Sequence, residues 1–244
     1  MPFSDQSRHS VRFDWGRRGL EAIGPGSDVV IVIDVLSFST CIDVATSRGA
    51  IVLPWRWRDD SAAPGDAILA STERSAERHS LSPASLQSIP AGTRLVLPSP
   101  NGSALSLLAA EHGITLTACL RNAAAVAAAA GRLGRKIAVV ACGERWPDDS
   151  LRPAWEDLIG AGAVIAHLDG AQSPEAQAAA AAFRQAERDL PRLLRECASG
   201  RELIERGFAA DVELAAEYGV SGTVPRLEGG VIIASQVGGR NDQG

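Results

Sequence analysis

No Cys-x-x-Cys pair occurs in this chain, and no histidine stands near a cysteine at zinc-ligand spacing. Cys41, Cys119, Cys142 and Cys197 are scattered instead, which argues against both a zinc framework and a disulfide scaffold and for reduced, buried thiols. Basic residues are not in excess. Lys and Arg total 24 against 29 Asp and Glu, a net charge of −5, so no nucleic acid or anionic membrane is held by bulk electrostatics. No segment approaches the roughly 20 apolar residues of a membrane span. The opening MPFSDQSRHS lacks an apolar signal core, His9, His79, His112 and His167 show no metal spacing, and no internal repeat is visible. The expectation is a soluble, cytoplasmic protein with no nucleic-acid and no membrane partner. A small anionic substrate stays open, because local cations or a metal override a modest global field.

What is present is concentrated at one stretch, VVIVIDVLSFST, from Val29 to Thr40. Five β-branched apolar residues predict a strand buried on both faces, as in a parallel sheet. Asp34 falls at its carboxyl tip, and Ser39 and Thr40 open the next helix, where free N–H groups and hydroxyls can hold an anion. A carboxylate for a metal beside donors for an oxyanion points to phosphate chemistry. The same residues also suit an ordinary strand end with a capped helix.

Strand-like runs recur at Val11–Trp15, Ala50–Pro54, Ala67–Ser71, Leu95–Leu97, Ile114–Ala118, Lys136–Cys142 and Gly230–Ala234. Helical spacing lies between them at Phe38–Ala45, Ser103–His112, Asn122–Leu133 and Trp155–His167, with a short helix and turn over Gly16–Asp28. This alternation predicts a three-layer α/β/α architecture around a largely parallel or mixed sheet, with 244 residues forming one domain over 1–244. Residues 171–220 read as a helical subregion, with Pro191 breaking its long helix and shorter helices at Arg201–Arg206 and Asp211–Tyr218. Residues 1–10 and 236–244 are expected to be disordered. The alanine-rich helix faces make a homodimer plausible.

In such folds ligands bind beyond the carboxyl ends of the strands, and the polar residues there deserve weight. PSPNGS, Pro98–Ser103, offers the Asn101 amide, a sharp turn at Gly102 and a capping hydroxyl at Ser103, although it also reads as a plain turn. Glu156 and Asp157 open an apolar helix. They suit its dipole, worth roughly 0.3–1 kcal/mol each, and equally a hard cation such as Mg2+ with oxygen ligands. Glu73 and Arg74 in STER place an acid and a phosphate-matching guanidinium after another strand, and Arg121 beside Asn122 offers a second clamp. A solvated loop explains each pair as well.

The ordered succession of these windows resembles the 2-phosphosulfolactate phosphatase (ComB) family, from about Val29 to Val231. The resemblance rests on DVLSFSTCI, Glu73-Arg74, Ser82-Pro83, PNGS, the RNA triplet at Asn122, WEDLIGAG and SGRELIERGFAAD with Gly207 and Asp211. It departs at Ser37, where the family has arginine, at Ser75 and Ala76 for glycines, and at Leu81 for asparagine. The loss of a cation at residue 37 puts the family's sulfonate-bearing substrate in question.

The resemblance implies a Mg2+-dependent phosphatase of coenzyme M biosynthesis type, acting on a small anionic phosphorylated hydroxy acid. It implies Asp34, Glu156 and Asp157 as metal ligands, with Asp34, Asp157 and Glu73 as catalytic groups. Ser39, Thr40, Arg74, Asn101, Gly102, Ser103, Arg121 and Asn122 would contact substrate. No DxDx[TV] signature is present, which favours attack by water over a phospho-aspartyl intermediate. Rival readings are another metal-dependent small-anion hydrolase and a silent binding protein on the same scaffold.

Overall fold

The computed structural model describes residues 3–56, 63–75 and 77–235. The tail expected to be disordered, 236–244, lies outside the described residues, as do residues 1 and 2. The segment before the first strand is tied to it, since the Gln6 side chain bonds both the N–H and the carbonyl of Phe13.

In chain order the strands are β1 (Val11–Trp15), β2 (Val29–Ile33), β3 (Ile51–Arg56), β4 (Ile68–Leu69), β5 (Arg94–Ser99), β6 (Ile114–Ala118), β7 (Ile137–Ala141), β8 (Glu144–Arg145), β9 (Leu151–Arg152), β10 (Pro225–Glu228) and β11 (Val231–Ala234). The helices are α1 (Gly16–Ile23), α2 (Phe38–Ser47), α3 (Gly102–Ala109), α4 (Ala123–Leu133), α5 (Trp155–Ile165), α6 (Pro174–Ala186), α7 (Leu190–Glu196), α8 (Ala198–Glu205) and α9 (Ala209–Ala216). Among the described residues one mixed sheet runs β1-β7-β2-β6-β10-β11-β3-β5-β4, and β8 and β9 form a separate small hairpin.

Two parallel blocks, β1-β7-β2-β6 and β3-β5-β4, are joined by the antiparallel β10–β11 hairpin. Sequence periodicity predicts only the second strand of that hairpin. Its turn is Gly229-Gly230, both at positive φ (56° and 85°), the backbone that two-residue hairpin loops require. Pro225 stands at the first residue of β10, the strand position that tolerates a missing N–H.

All five residues of β2 are buried because helices cover both faces of the sheet. Val29, Ile31 and Ile33 pack with Leu116, Val139 and the residues of α4, α5 and α6, while Val30 and Val32 face Leu20 and Ile23 of α1 and Leu105 of α3. Each such side chain contributes roughly 1.5–3 kcal/mol of burial. A third cluster joins Phe38 and Ile42 of α2 to Val52, Leu95, Leu97 and Ile232. The alanine-rich composition of 174–197 does form helices, and α6 ends at Ala186 with a 3-10 turn before Pro191 enters the first turn of α7. Among the described residues no helix is long and apolar enough to cross a membrane.

Candidate active site

Asp34 is the first residue beyond β2, and its burial follows from how tightly the chain closes around it. One carboxylate oxygen accepts the Phe38 N–H at 3.1 Å. Its other oxygen faces Gly102, at the start of α3, which leans across onto β2 and β6. A Cβ at residue 102 would stand 2.7 Å from Asp34 Oδ2 and 2.3 Å from the Phe38 ring, so only glycine lets α3 approach this closely.

Burial pushes the Asp34 carboxyl up to about 6, and the Glu156 charge adds to this; the N–H groups of Phe38 and Gly102 and the Arg74 guanidinium oppose it. Glu144, just past β7, is pushed up to about 8, first by burial and then by the charges of Asp34 and Glu156. Asp157 is raised by burial and by Asp34 and Glu156. Four carboxylates from three parts of the chain therefore feel one another at the carboxyl ends of adjacent strands β2 and β7.

They do not play the same part. Both oxygens of Asp157 are taken by backbone, Oδ1 by Val35 N–H and Oδ2 by Gly143 N–H, each at 2.8 Å. Asp157 thus clamps the ends of β2 and β7 together. Glu156 is 2% exposed and stays off the cavity wall. Asp34 and Glu144 line a cavity of about 170 Å³ together with Ser37, Arg74 and Asn101, and α8 closes its far side. The Asn101 amide donates to Glu144 at 3.2 Å.

Two arginines line this cavity, Arg74 and Arg206, and Arg74 is the less exposed. Its Nη1 meets Asp211 at 2.6 Å, its Nη2 donates to the Ser37 hydroxyl at 3.0 Å, and its guanidinium lies 5.5 Å from the centre of the Phe208 ring. The other Asp211 oxygen accepts the Ser82 hydroxyl at 2.6 Å and the Ala84 N–H at 3.0 Å. Two windows remote in sequence, Arg74 to Ser82 and Asp211, thereby hold one guanidinium at the cavity wall.

Other residues expected at the site are placed differently. The Ser39 hydroxyl accepts the Asp34 N–H at 2.9 Å and donates to Val32 carbonyl, and the Thr40 hydroxyl donates to Val35 carbonyl at 2.7 Å. The Ser103 hydroxyl donates to Leu97 carbonyl at 2.8 Å. All three are buried and shape the turns around Asp34 instead of facing the cavity. Asn122 is buried against Cys119 N–H and Thr223 carbonyl. Arg121 pairs with Asp43 at 2.8 Å and with Glu217, and lines no cavity beside Asp34. Glu73 is exposed and lines neither cavity, although its neighbour Arg74 turns inward. Sequence reasoning gives Ser82 and Asp211 as motif residues of the resemblance and Glu144 as a polar residue at a strand end, but assigns none of the three a role in the site. The signal for Glu144 was its place one residue past Gly143 at the end of a buried strand.

Among the described residues no group of three or more His, Cys, Asp or Glu side chains is arranged to hold a metal ion. Mg2+ does not require one, because it keeps several waters and takes only one or two carboxylates. Asp34 and Glu144 on one wall, each raised by like charge nearby, form a donor set that such a cation relieves. Arg74 lines the same cavity, its Nη1 on Asp211 and its Nη2 on the Ser37 hydroxyl, and a phosphate there would share the guanidinium with them.

A family model described as 2-phosphosulpholactate phosphatase matches residues 21–230. The 2-phosphosulfolactate phosphatase of Methanothermobacter thermautotrophicus is 30% identical over 213 residues, covering 85% of this chain and 90% of that protein. A protein of Gloeobacter violaceus named probable 2-phosphosulfolactate phosphatase is 32% identical over 147 residues, 59% of each chain. The chain belongs to the 2-phosphosulfolactate phosphatase family.

Proposed function

We propose that the protein is a Mg2+-dependent phosphatase that hydrolyses a phosphomonoester of a small anionic hydroxy acid, of the kind named by its relatives, 2-phosphosulfolactate. The observation that carries this reading is that Arg74, Asp34 and Glu144 line one small cavity at the strand ends. Phosphate monoesters are among the slowest compounds to hydrolyse unaided, with enzymatic accelerations reaching about 10^21-fold. A cation held by Asp34 and Glu144 would supply charge neutralisation on the phosphoryl oxygens. Arg74, held in orientation by Asp211, donates to the remaining phosphoryl oxygens. Asp34, with its carboxyl near 6, is largely ionised at neutral pH and can accept a proton from the attacking water. Glu144, pushed up to about 8 without a cation, gives up its proton when a cation is held there, and the departing ester oxygen takes its proton from water as the P–O bond breaks. Water thus replaces the alcohol at phosphorus, releasing hydroxy acid and inorganic phosphate. Glu156 and Asp157 position Asp34 and the two strand ends.

Phosphate release from 2-phosphosulfolactate and 2-phospholactate, with Mg2+ and with a chelator, tests the reading. Activity should require the metal and fall by roughly 10^3-fold or more in Asp34→Asn. Undiminished turnover in that variant overturns the assignment. Tight binding of either ester without phosphate release marks a binding protein instead.

A further inference from the structure

The small cavity beside Asp34 is lined by three serines from separate parts of the chain: Ser37 just before α2, Ser99 at the end of β5 and Ser199 in α8. All three are buried, at 2%, 1% and 4% exposure. Each hydroxyl accepts one hydrogen bond. Ser37 takes it from Arg74 Nη2 at 3.0 Å, Ser99 from the Gly102 N–H at 3.0 Å and Ser199 from Arg152 Nη2 at 3.3 Å. A guanidinium and a backbone N–H can only donate. The serine oxygen is therefore the acceptor in each pair, and its own proton is left over.

Among the described residues none of these three protons meets an acceptor. Other buried serines are completed by the protein: Ser27, Ser39, Ser80, Ser85 and Ser103 donate to backbone carbonyls, and Ser82 donates to Asp211. Ser106 and Ser173 also lack an acceptor, but they line neither this cavity nor the larger one of about 890 Å³ beside α1 and α3. A buried donor without a partner is costly, and a cavity that gathers three of them suits an occupant rich in acceptor oxygens.

We propose that Ser37, Ser99 and Ser199 form an uncharged donor set that binds the carboxylate of the substrate's hydroxy-acid portion. The proposal rests on the phosphatase reading and deepens it, because that reading gives Asp34 and Glu144 to the cation and Arg74 to the phosphoryl group. Arg206, the cavity's other arginine, is paired with Glu202. The hydroxyls are free of such commitments, and an O–H donor to a carboxylate makes a short, charge-assisted bond of roughly 2.5–2.7 Å. Specificity for the acid then comes from oriented protons instead of from a dedicated positive charge.

The experiment compares 2-phospholactate with isopropyl phosphate, the same phosphomonoester with a methyl group in place of the carboxylate. With Mg2+, Ser37→Ala, Ser99→Ala and Ser199→Ala should each lower kcat/KM for 2-phospholactate by about 10–100-fold more than for isopropyl phosphate, relative to wild type. Ser199→Thr, which keeps a hydroxyl, should hold the wild-type ratio of the two esters. Losing the accepting oxygen also disturbs Arg74, α3 or Arg152, but that lowers both esters together, so the ratio carries the test. Equal loss of both esters in the alanine variants, or loss of neither, overturns the proposal and leaves the phosphatase reading standing. Should neither ester release phosphate, calorimetric titration with the same two esters decides separately. Binding of 2-phospholactate that the alanine variants weaken more than that of isopropyl phosphate supports the donor set and overturns only the hydrolytic reading. Equal weakening of the two overturns the donor set.

Discussion

The ends of β2 and β6 lie side by side in parallel register, Ile33 opposite Ala118, and each is followed by residues able to hold an anion. At the end of β6 every such group is closed on the protein itself. Asn122 bonds Cys119 N–H and Thr223 carbonyl, and Arg121 is pinned by Asp43, Glu217 and the Leu214 carbonyl. Asp43 takes the Ser221 hydroxyl on its other oxygen. At the end of β2 the balance is reversed. Asp34, Glu144 and Asp157 are raised by burial and by the charges around them, Glu156 among these, and Arg74 moderates Asp34. The closed end ties helices to the sheet. The open end stores unfavourable like charge beside a cavity, which a bound cation and phosphate relieve, and this difference separates a site from a joint.

Breaking the joint should give the largest effect, and on stability. Asp43 is fully buried, and burial raises its carboxyl despite Arg121 and Ser221. Arg121→Ala leaves that carboxylate unpaired and should cost about 3–5 kcal/mol. Thermal melts should fall by roughly 6–20 °C, with phosphate release per folded molecule unchanged. Loss of activity in protein still folded by circular dichroism would move Arg121 back to the site and erase the contrast.

At the open end Arg74→Lys sharpens the comparison. It keeps the charge but loses the fork that spans Asp211 and Ser37. The expected loss is about 10–100-fold in kcat/KM with little change in melting temperature. A melt that drops as far as that of Arg121→Ala, with kinetics intact, would make Arg74 a joint too.

Much of this contrast was beyond sequence pattern, for reasons that particular residues show. Buried strands announce themselves through composition, and β2, β6 and β7 fall where Val29–Asp34, Ile114–Ala118 and Lys136–Cys142 predict them. The β10–β11 hairpin was present as Gly229-Gly230 between short apolar runs, but Pro225 in the first run reads as a stop. Polar residues are harder, because their role depends on what they meet. Ser39 and Ser103 have the right chemistry for an anion and spend it on Val32 and Leu97 carbonyls only a few residues away. Arg74 and Arg121 look alike until Asp211 and Asp43, each more than 70 residues away in the chain, decide where each points. Glu144 gains its importance from Asp34 and Asn101, through contacts no local window contains.

The last test addresses the stored charge directly. Asp34 moves from its ordinary 3.8 to about 6 in the folded protein and Glu144 from 4.5 to about 8, both chiefly through burial. Between about pH 4 and pH 8 the metal-free folded chain therefore holds protons that the unfolded chain has released. Unfolding releases them, so raising pH favours the unfolded state, and stability should decline across that window. In chelator the melting temperature should fall steadily from about pH 5 to pH 8. Asp43 contributes with the same sign, because its carboxyl is also raised, but it lies at the closed end. Two further melts separate the ends. Millimolar Mg2+ should restore most of the loss at pH 8 by binding only the folded form, and Asp34→Asn should lessen the slope without metal, Glu144 keeping its own share. A slope unchanged by both Mg2+ and Asp34→Asn would assign the stored charge to Asp43, and the open end would then be no more strained than its neighbour.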